Sequence, residues 1–278
     1  MSAPAVVTAA TAADVRSRRG LVGWYGLWQL RDYLMDRGAS TLIVLSLFGY
    51  LGIAPGMAMM KMRLERVSAN EIAKSGGIDA LRAAMRHDVT VGFLANFLGA
   101  VVFVGAVFAM QGIVANDRKQ GYYRFLFAKP VAPSRFYGQA FLIHWAGFTA
   151  LVSGMALIFG ALVEPVLSVH LVSALAVMFL MYAGIEFLLS SVARWDWMSL
   201  VAVTVASSFL WDRYGLSTSI VAKLLYLLPP LHRTSEVYAA VAKGSSLPWH
   251  LLGWFGGYGT VCVVAALFVL RYRRLAIV

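Results

Sequence analysis

Residues 116–137 read NDRKQGYYRFLFAKPVAPSRFY, and this basic segment lies between two long apolar stretches. Residues 89–115 precede it and residues 137–163 follow it. At about 1.5 Å per residue, each stretch can cross a hydrocarbon core of about 30 Å. The segment holds five Lys or Arg residues and one acidic residue. Because short loops rich in Lys and Arg stay on the cytoplasmic side of a membrane, we expect residues 116–136 to face the cytoplasm.

The rest of the chain has the same apolar character. Of its 278 residues, 60% are hydrophobic and 13% are charged, whereas about a quarter of the residues in a soluble domain are charged. Windows of about 20 apolar residues predict an all-α, polytopic membrane protein in which residues 39–278 form one domain of six membrane-spanning helices. The predicted spans are residues 39–60, 89–115, 137–163, 168–193, 197–212 and 250–270.

Three polar segments lie outside these spans near the N-terminal end. Residues 1–19 do not have the pattern of a signal peptide, and we expect a disordered cytoplasmic tail. Residues 20–38 carry Trp24 and Trp28 among charged residues, which favours an interfacial helix over an amphipathic linker packed on protein. Residues 61–88 predict two short helices outside the membrane.

The predicted span at residues 197–212 is short, because 16 residues make about 24 Å of helix. Residues 216–230 follow it and are apolar, but polar residues interrupt them and Pro229-Pro230 ends them. This pattern predicts a re-entrant segment that dips into the outer leaflet or lies on it. With six spans and a cytoplasmic N-terminus, 14 Lys and Arg residues lie inside and 10 outside, so both termini are predicted to be cytoplasmic.

The net charge of +11 is spread over the flanks and loops of the spans. We therefore expect membrane lipids as partners, and no nucleic acid. Cys262 is the single cysteine, which excludes an internal disulfide, and the sequence has no metal-ligand spacing. No nucleophile motif and no Gly-rich phosphate cradle occurs, so we predict no catalytic residue and no ATP hydrolysis by this chain.

Three polar residues within predicted spans form a candidate intramembrane site: Asn96, His144 and Glu186. An ionised carboxylate at Glu186 would be costly inside a bilayer, so either a proton, ion or substrate contact or a structural hydrogen bond would explain it. Asn96 is typical of hydrogen bonding between helices, and His144 of an interfacial or hydrogen-bonded histidine. A membrane-embedded enzyme or redox subunit that uses Glu186 or His144 is the alternative function.

Residues 117–131, DRKQGYYRFLFAKPV, resemble the cytoplasmic loop between the second and third spans of ABC type-2 transporter permeases. The resemblance continues over residues 134–139 and from residue 227 to residue 274. It departs at Asp117, where the family usually has Glu, and at Tyr122, where it usually has Thr. The resemblance implies the transmembrane permease subunit of an exporter in the inner (plasma) membrane, with an elbow helix at residues 20–38. A permease-like protein that serves in signalling or as a scaffold is a further alternative.

By the same resemblance, residues 116–136 contain a short coupling helix that rests in a groove of a separate ATPase subunit. ATP and Mg²⁺ would be bound by that ATPase, and this chain would carry no cofactor. A second permease copy, identical or related, would complete the pathway. The mostly aliphatic and aromatic spans favour a hydrophobic or amphiphilic substrate. The residues implied in coupling are Asp117, Arg118, Lys119, Gly121, Tyr122, Tyr123, Arg124, Phe125 and Pro130.

Overall fold

The computed structural model describes residues 26–115, 117, 132–192, 196–215, 223 and 225–272. These residues are mostly helical, and no strand occurs among them. The helices are α1 (Gly26–Leu64), α2 (Ala69–Lys74), α3 (Ile78–Met110), α4 (Pro133–Leu162), α5 (Val169–Val192), α6 (Asp196–Tyr214), α7 (Thr234–Ala242) and α8 (Trp249–Tyr272).

Within the described part of the chain, five helices are long and apolar enough to cross a membrane: α1, α3, α4, α5 and α8. They coincide with five of the six predicted spans, so the all-α class and the membrane-spanning character of these helices agree with the sequence. The sixth predicted span, residues 197–212, coincides with α6, which is not among the five. Ser207, Ser208, Asp212 and Arg213 make the second half of this helix less apolar.

Helix α1 runs without a break through the boundary at which the sequence predicted a separate interfacial helix to end. Its residues Tyr33–Gly38 are π-helical, and the α-helix continues from Ala39 to Leu64. A π-helical turn inside an α-helix shifts the register of the side chains without ending the helix. Residues 1–25 lie outside the described residues, so the predicted tail and the first part of the predicted interfacial helix stay predictions.

The segment between α1 and α3 contains one of the two short helices that the sequence predicted. The Ser68 hydroxyl accepts from the Glu71 backbone N–H, and the Glu71 carboxylate accepts from the Ser68 N–H, so α2 begins with a capping box. The second short helix predicted within residues 61–88 is instead the first part of α3. The reason is that no Gly or Pro separates residues 78–88 from the apolar stretch that follows.

Helix α5 lies at the centre of the bundle. It packs on α4 in the antiparallel direction, since Phe141 contacts Phe187 and Phe148 stacks on Phe179 with ring centroids 4.1 Å apart. Such an aromatic pair adds about 0.5–1.5 kcal/mol beyond the burial of its area.

Helix α8 packs on α5 in the parallel direction. His170 and Trp249, at the first residues of the two helices, have ring centroids 6.4 Å apart. Further along, a Cβ atom added to Gly184 would lie 2.5 Å from the carbonyl oxygen of Gly259. The two backbones approach so closely because neither residue has a side chain.

Helices α3 and α1 surround this centre from the other side. Phe103 of α3 contacts the Tyr182 ring of α5, and Ala115 contacts Ser190, so α3 runs parallel to α5. Helix α1 runs in the opposite direction, since its Gly56 lies beside Val89 of α3 and its Arg37 reaches the end of α3.

Helix α7 is short, yet it lies inside the bundle. Val237 and Tyr238 are buried, and the Tyr238 ring lies beside Gly99, near the middle of the apolar part of α3. The sequence predicted the re-entrant segment at residues 216–230, most of which lie outside the described residues. The short buried helix, α7, follows that segment and was not predicted. Its apolar face consists of a few residues such as Val237 and Tyr238, and the polar residues around them lower the mean hydropathy of the window.

Candidate functional site

The structure describes both ends of the basic connection between α3 and α4. Asp117 and residues 132–136 are described. The other residues predicted to couple to an ATPase lie outside the described residues, and their roles stay predictions. They are Arg118, Lys119, Gly121, Tyr122, Tyr123, Arg124, Phe125 and Pro130.

The chain enters the connection through a buried turn. Gly112, with φ +72°, follows the last turn of α3 in the left-handed conformation that commonly ends a helix. Val114 and Ala115 after it are buried. The Ala115 N–H donates to the Ser190 Oγ of α5 at 3.2 Å. The entry to the connection is therefore held against the central helix.

The chain leaves the connection at the start of α4, where Pro133 occupies the first turn and needs no hydrogen-bond partner for its nitrogen. One turn later, the buried Tyr137 donates its hydroxyl to the Asp117 Oδ2 at 2.9 Å. This bond joins the two ends of the connection. Burial raises the pKa of the Asp117 carboxyl above its ordinary value, and the Tyr137 hydrogen bond and the charge of Arg37 act in the opposite direction.

The N-terminal part of α1 contacts both ends of the connection. The Gln29 Nε2 donates to the Phe136 carbonyl oxygen at 3.1 Å. The Arg37 Nη1 donates to the carbonyl oxygens of Ala109 at 3.2 Å and Gln111 at 2.6 Å. The last carbonyl groups of a helix have no partner within the helix and carry a partial negative charge, so a guanidinium at the end of α3 stabilises it.

The first part of α1 turns side chains with polar groups toward the rest of the protein. Gln29 and Tyr33 are buried, while the apolar side chains of Leu27, Leu34 and Met35 are exposed. Arg31 and Asp32 are exposed as well, and a mixture of exposed apolar and charged side chains is suited to the boundary between a bilayer and water. We refer to Gln29, Tyr33, Arg37, Asp117 and Tyr137 together as the anchor cluster.

His144 lies beside the anchor cluster and packs against Tyr33. The two rings are in edge-to-face contact with centroids 4.9 Å apart, and the Tyr33 ring also fills the space over Gly147, where a Cβ atom would clash with it. The His144 Nδ1 donates to the Ala140 carbonyl oxygen of its own helix at 2.6 Å. This agrees with the hydrogen-bonded histidine that the sequence favoured.

The three residues of the predicted intramembrane site do not all lie at one level. Gly105 of α3 packs against Phe148 of α4. Measured along the helices from that contact, His144 lies about 6 Å nearer to the basic connection, and Asn96 lies about 14 Å farther from the connection. Asn96 is exposed and donates to the Gly92 carbonyl oxygen one turn back. Glu186 is fully buried, and it lies on the turn of α5 next to Phe187, at about the level of His144.

Sequence reasoning did not single out Gln29, Tyr33 and Arg37 as site residues. Their spacing of four residues is a usable indication, because residues four apart lie on the same face of a helix. Three polar side chains in line on one face of a helix that is apolar over most of its length predict a protein contact on that face. Within the described part of the chain, no group of three or more His, Cys, Asp or Glu residues could hold a metal ion.

The fold and the anchor cluster define a class: an all-helical protein with five described helices that can cross a membrane, and with a basic connection anchored at one end of the bundle. Comparisons with protein-family models, with curated proteins and with solved structures find no match for this chain.

Proposed function

We propose that this chain is the transmembrane permease subunit of an ABC exporter, driven by a separate ATPase subunit that contacts residues 116–136. The observation that carries the proposal is the anchor cluster. It joins the two ends of the basic connection to each other through Tyr137 and Asp117, and to α1 through Gln29 and Arg37. The resemblance of residues 117–131 to a coupling loop supplies the identity of the partner.

A connection that transmits force needs stiff ends, and those of residues 116–136 are suited to this task. A hydrogen bond within a protein contributes about 0.5–1.5 kcal/mol, and breaking a buried one leaves its partner unsatisfied. Because Ala115 is bonded to α5 and Asp117 to α4, a displacement of the loop would move these helices together with it. In this proposal, closure of two ATPase subunits on ATP provides that displacement.

The directions of the helices support a plan of six spans. Helices α3, α5 and α8 run in one direction and α1 and α4 in the other. The chain leaves α5 at the end of the bundle near Ala115 and enters α8 at the opposite end, beside His170. We infer that α6 carries the chain back across the membrane, in spite of its lower hydropathy, since it is the long helix described between them.

The same plan places Gly26 and Tyr272 at the end of the bundle that carries the basic connection. The Lys and Arg residues of that connection favour the cytoplasm for this end, and hence for both termini. The hydrophobic or amphiphilic character proposed for the substrate draws support from a cavity of about 300 Å³ between α1, α3, α4 and α5. Its walls are almost entirely apolar, with Leu45, Phe93 and Met155 among them.

The test is co-purification of the chain with the ATPase of its own host. Replacing Gly121 and Phe125 together by Glu should abolish ATPase association, since both residues lie in the proposed contact, while membrane insertion stays intact. A matched control places two Glu residues at Lys243 and Ser246, both exposed in the loop before α8. This variant should keep the ATPase.

Retention of the ATPase by the Gly121→Glu, Phe125→Glu variant would refute the coupling role of residues 116–136. A haem absorption band or substrate turnover by the isolated chain would instead support the membrane-embedded enzyme or redox subunit that uses Glu186 or His144.

A further inference from the structure

A groove of about 750 Å³ lies between α4 and α8, and none of the anchor-cluster residues is part of its lining. Its apolar part is lined by Leu142 and Trp145 of α4, Leu180 of α5, and Val263 and Leu267 of α8. Leu142 is 60% exposed, so the groove opens sideways, to the outside of the bundle. In a membrane-spanning bundle this side faces lipid.

The two ends of the groove differ in polarity. Ser134, Arg135 and Gln139, in the first turns of α4, line the end next to the basic connection. From Arg135 to Trp145 the helix rises about 15 Å. This is half the hydrocarbon thickness of about 30 Å. The groove therefore has the depth of one leaflet, with polar groups where the headgroups of that leaflet would lie.

A second arginine comes to the same end from α8. Gly138 of α4 lies beside Leu267 of α8, and the two helices are antiparallel. One turn beyond this contact, α4 carries Arg135, and α8 carries Arg271 on the same face as Leu267. Both arginines are exposed. Among the described residues, no acidic residue lines the groove, and the guanidinium of Arg135 has no hydrogen-bonded or ion-paired partner.

We propose that this groove binds one anionic phospholipid of the surrounding leaflet, with an acyl chain along Leu142, Trp145 and Val263 and the phosphate at Arg135 and Arg271. Guanidinium groups match phosphate oxygens in geometry and charge, and the apolar floor matches a hydrocarbon chain. A second copy of the chain is the less favoured occupant, because an apolar helix face would leave both arginines without a counter-charge. The site does not depend on the proposed coupling to an ATPase.

The experiment uses the full chain, purified in mild detergent and incubated with phosphatidylglycerol or phosphatidylcholine of identical acyl chains. Native mass spectrometry then counts the retained lipid. We expect wild type to retain phosphatidylglycerol. Each basic residue near the surface contributes roughly fivefold in affinity, so the R135Q/R271Q variant should retain about 10–30-fold less. The control variant K61Q/R66Q removes two exposed basic residues, one in the last turn of α1 and one just after it. It should retain phosphatidylglycerol within about twofold of wild type.

A second variant tests the apolar part. Val263→Trp fills the groove with a larger ring and should reduce the retention of both lipids. Equal phosphatidylglycerol retention by wild type and R135Q/R271Q would overturn the proposal. So would a mass spectrum in which wild type forms a dimer while V263W is monomeric and still retains its lipid, because a second copy of the chain would then occupy the groove. Because both arginines are exposed, R135Q/R271Q should fold and should elute from size-exclusion chromatography as wild type does. If V263W does not fold, the lipid retention of R135Q/R271Q alone decides whether the proposal holds.

Discussion

Helices α1 and α5 have almost the same mean hydropathy in their most apolar windows, yet the bundle surrounds them to very different extents. Of the 18 residues in that window, 67% are buried in α5 and 6% in α1. In Ala39–Leu64 of α1, only Thr41 and Leu45 are buried. Helix α5 is the core of the molecule, and α1 lies at its edge.

The difference comes from what each helix offers to its neighbours. Helix α5 carries small residues such as Ala174, Ala183 and Gly184, and these allow other helices to approach on several sides. Helix α1 attaches through polar side chains near its N-terminus, with Arg37 bonded to the carbonyl groups at the end of α3. Hydropathy thus measures how well a helix suits the bilayer, and the distribution of small and polar residues decides its place in the bundle.

The largest expected effect breaks the core. Gly184→Leu should abolish the folded state, because even the Cβ atom would lie 2.5 Å from the backbone oxygen of Gly259. Overpacking typically costs about 1–3 kcal/mol and occasionally more, and a clash with backbone cannot be relieved by a change of rotamer. The matched variant is Gly49→Leu in α1, where no atom lies within 4 Å of an added Cβ. Size-exclusion chromatography and thermal unfolding in detergent measure both.

The Gly49→Leu variant should not lose stability, because the new side chain enters the open apolar cavity that Gly49 lines and a helix interior favours Leu over Gly. Equal losses in the two variants would mean that α1 is enclosed as tightly as α5 in the assembled protein. A second copy of the chain packed on α1 would then be the simplest explanation.

The apolar helices were predictable from the sequence, since length and hydropathy suffice to find them. The end of the predicted interfacial helix was not predictable, because α1 continues through Gly38 as a π-helical turn that leaves no mark in composition. Helix α7 was not predicted for a different reason. It is nine residues long, and its place depends on the contact between Tyr238 and Gly99, which are far apart in sequence.

The candidate site was predictable only in part. The charge and the prolines of residues 116–136 identify the connection, but the contacts that hold its ends come from Gln29, Arg37 and Ser190, which lie on other helices. Contacts of this kind depend on how helices are arranged around each other. Asn96 illustrates the converse, since a polar residue in a span predicted a contact between helices and its hydrogen bond is to its own helix.

A second prediction concerns how α1 is attached. Arg37→Met keeps the length of the side chain and removes the bonds to the carbonyl oxygens of Ala109 and Gln111. We expect a loss of about 1.5–3 kcal/mol in the free energy of unfolding, the range for hydrogen bonds of charged groups. Arg31→Met on the same helix is the control, because Arg31 is exposed. Thermal unfolding of the two purified variants measures their stabilities. Similar losses of stability in both would show that α1 is attached through its apolar face and not through Arg37.

The smallest expected effect concerns the charge at Asp117. Because burial raises the pKa of this carboxyl in the folded chain, the folded state favours its protonated form. Its contribution to stability is therefore complete below the ordinary Asp pKa of about 3.9 and is lost as the pH rises through the raised value. Asn in this position is neutral at every pH and still accepts the Tyr137 hydrogen bond.

The Asp117→Asn variant should therefore gain stability over wild type as the pH rises from about 4 toward neutral. The melting temperatures of the two proteins, measured across this pH range, show whether the difference in stability grows or shrinks with pH. Asp212→Asn, at an exposed position near the end of α6 and without an ion-paired partner among the described residues, controls for the loss of a negative charge as such. A difference of the opposite slope would mean that the attraction of Arg37 outweighs burial. Helix α1 would then hold the basic connection through an ion pair, and the attachment at the edge of the bundle would weaken in acid instead of strengthening.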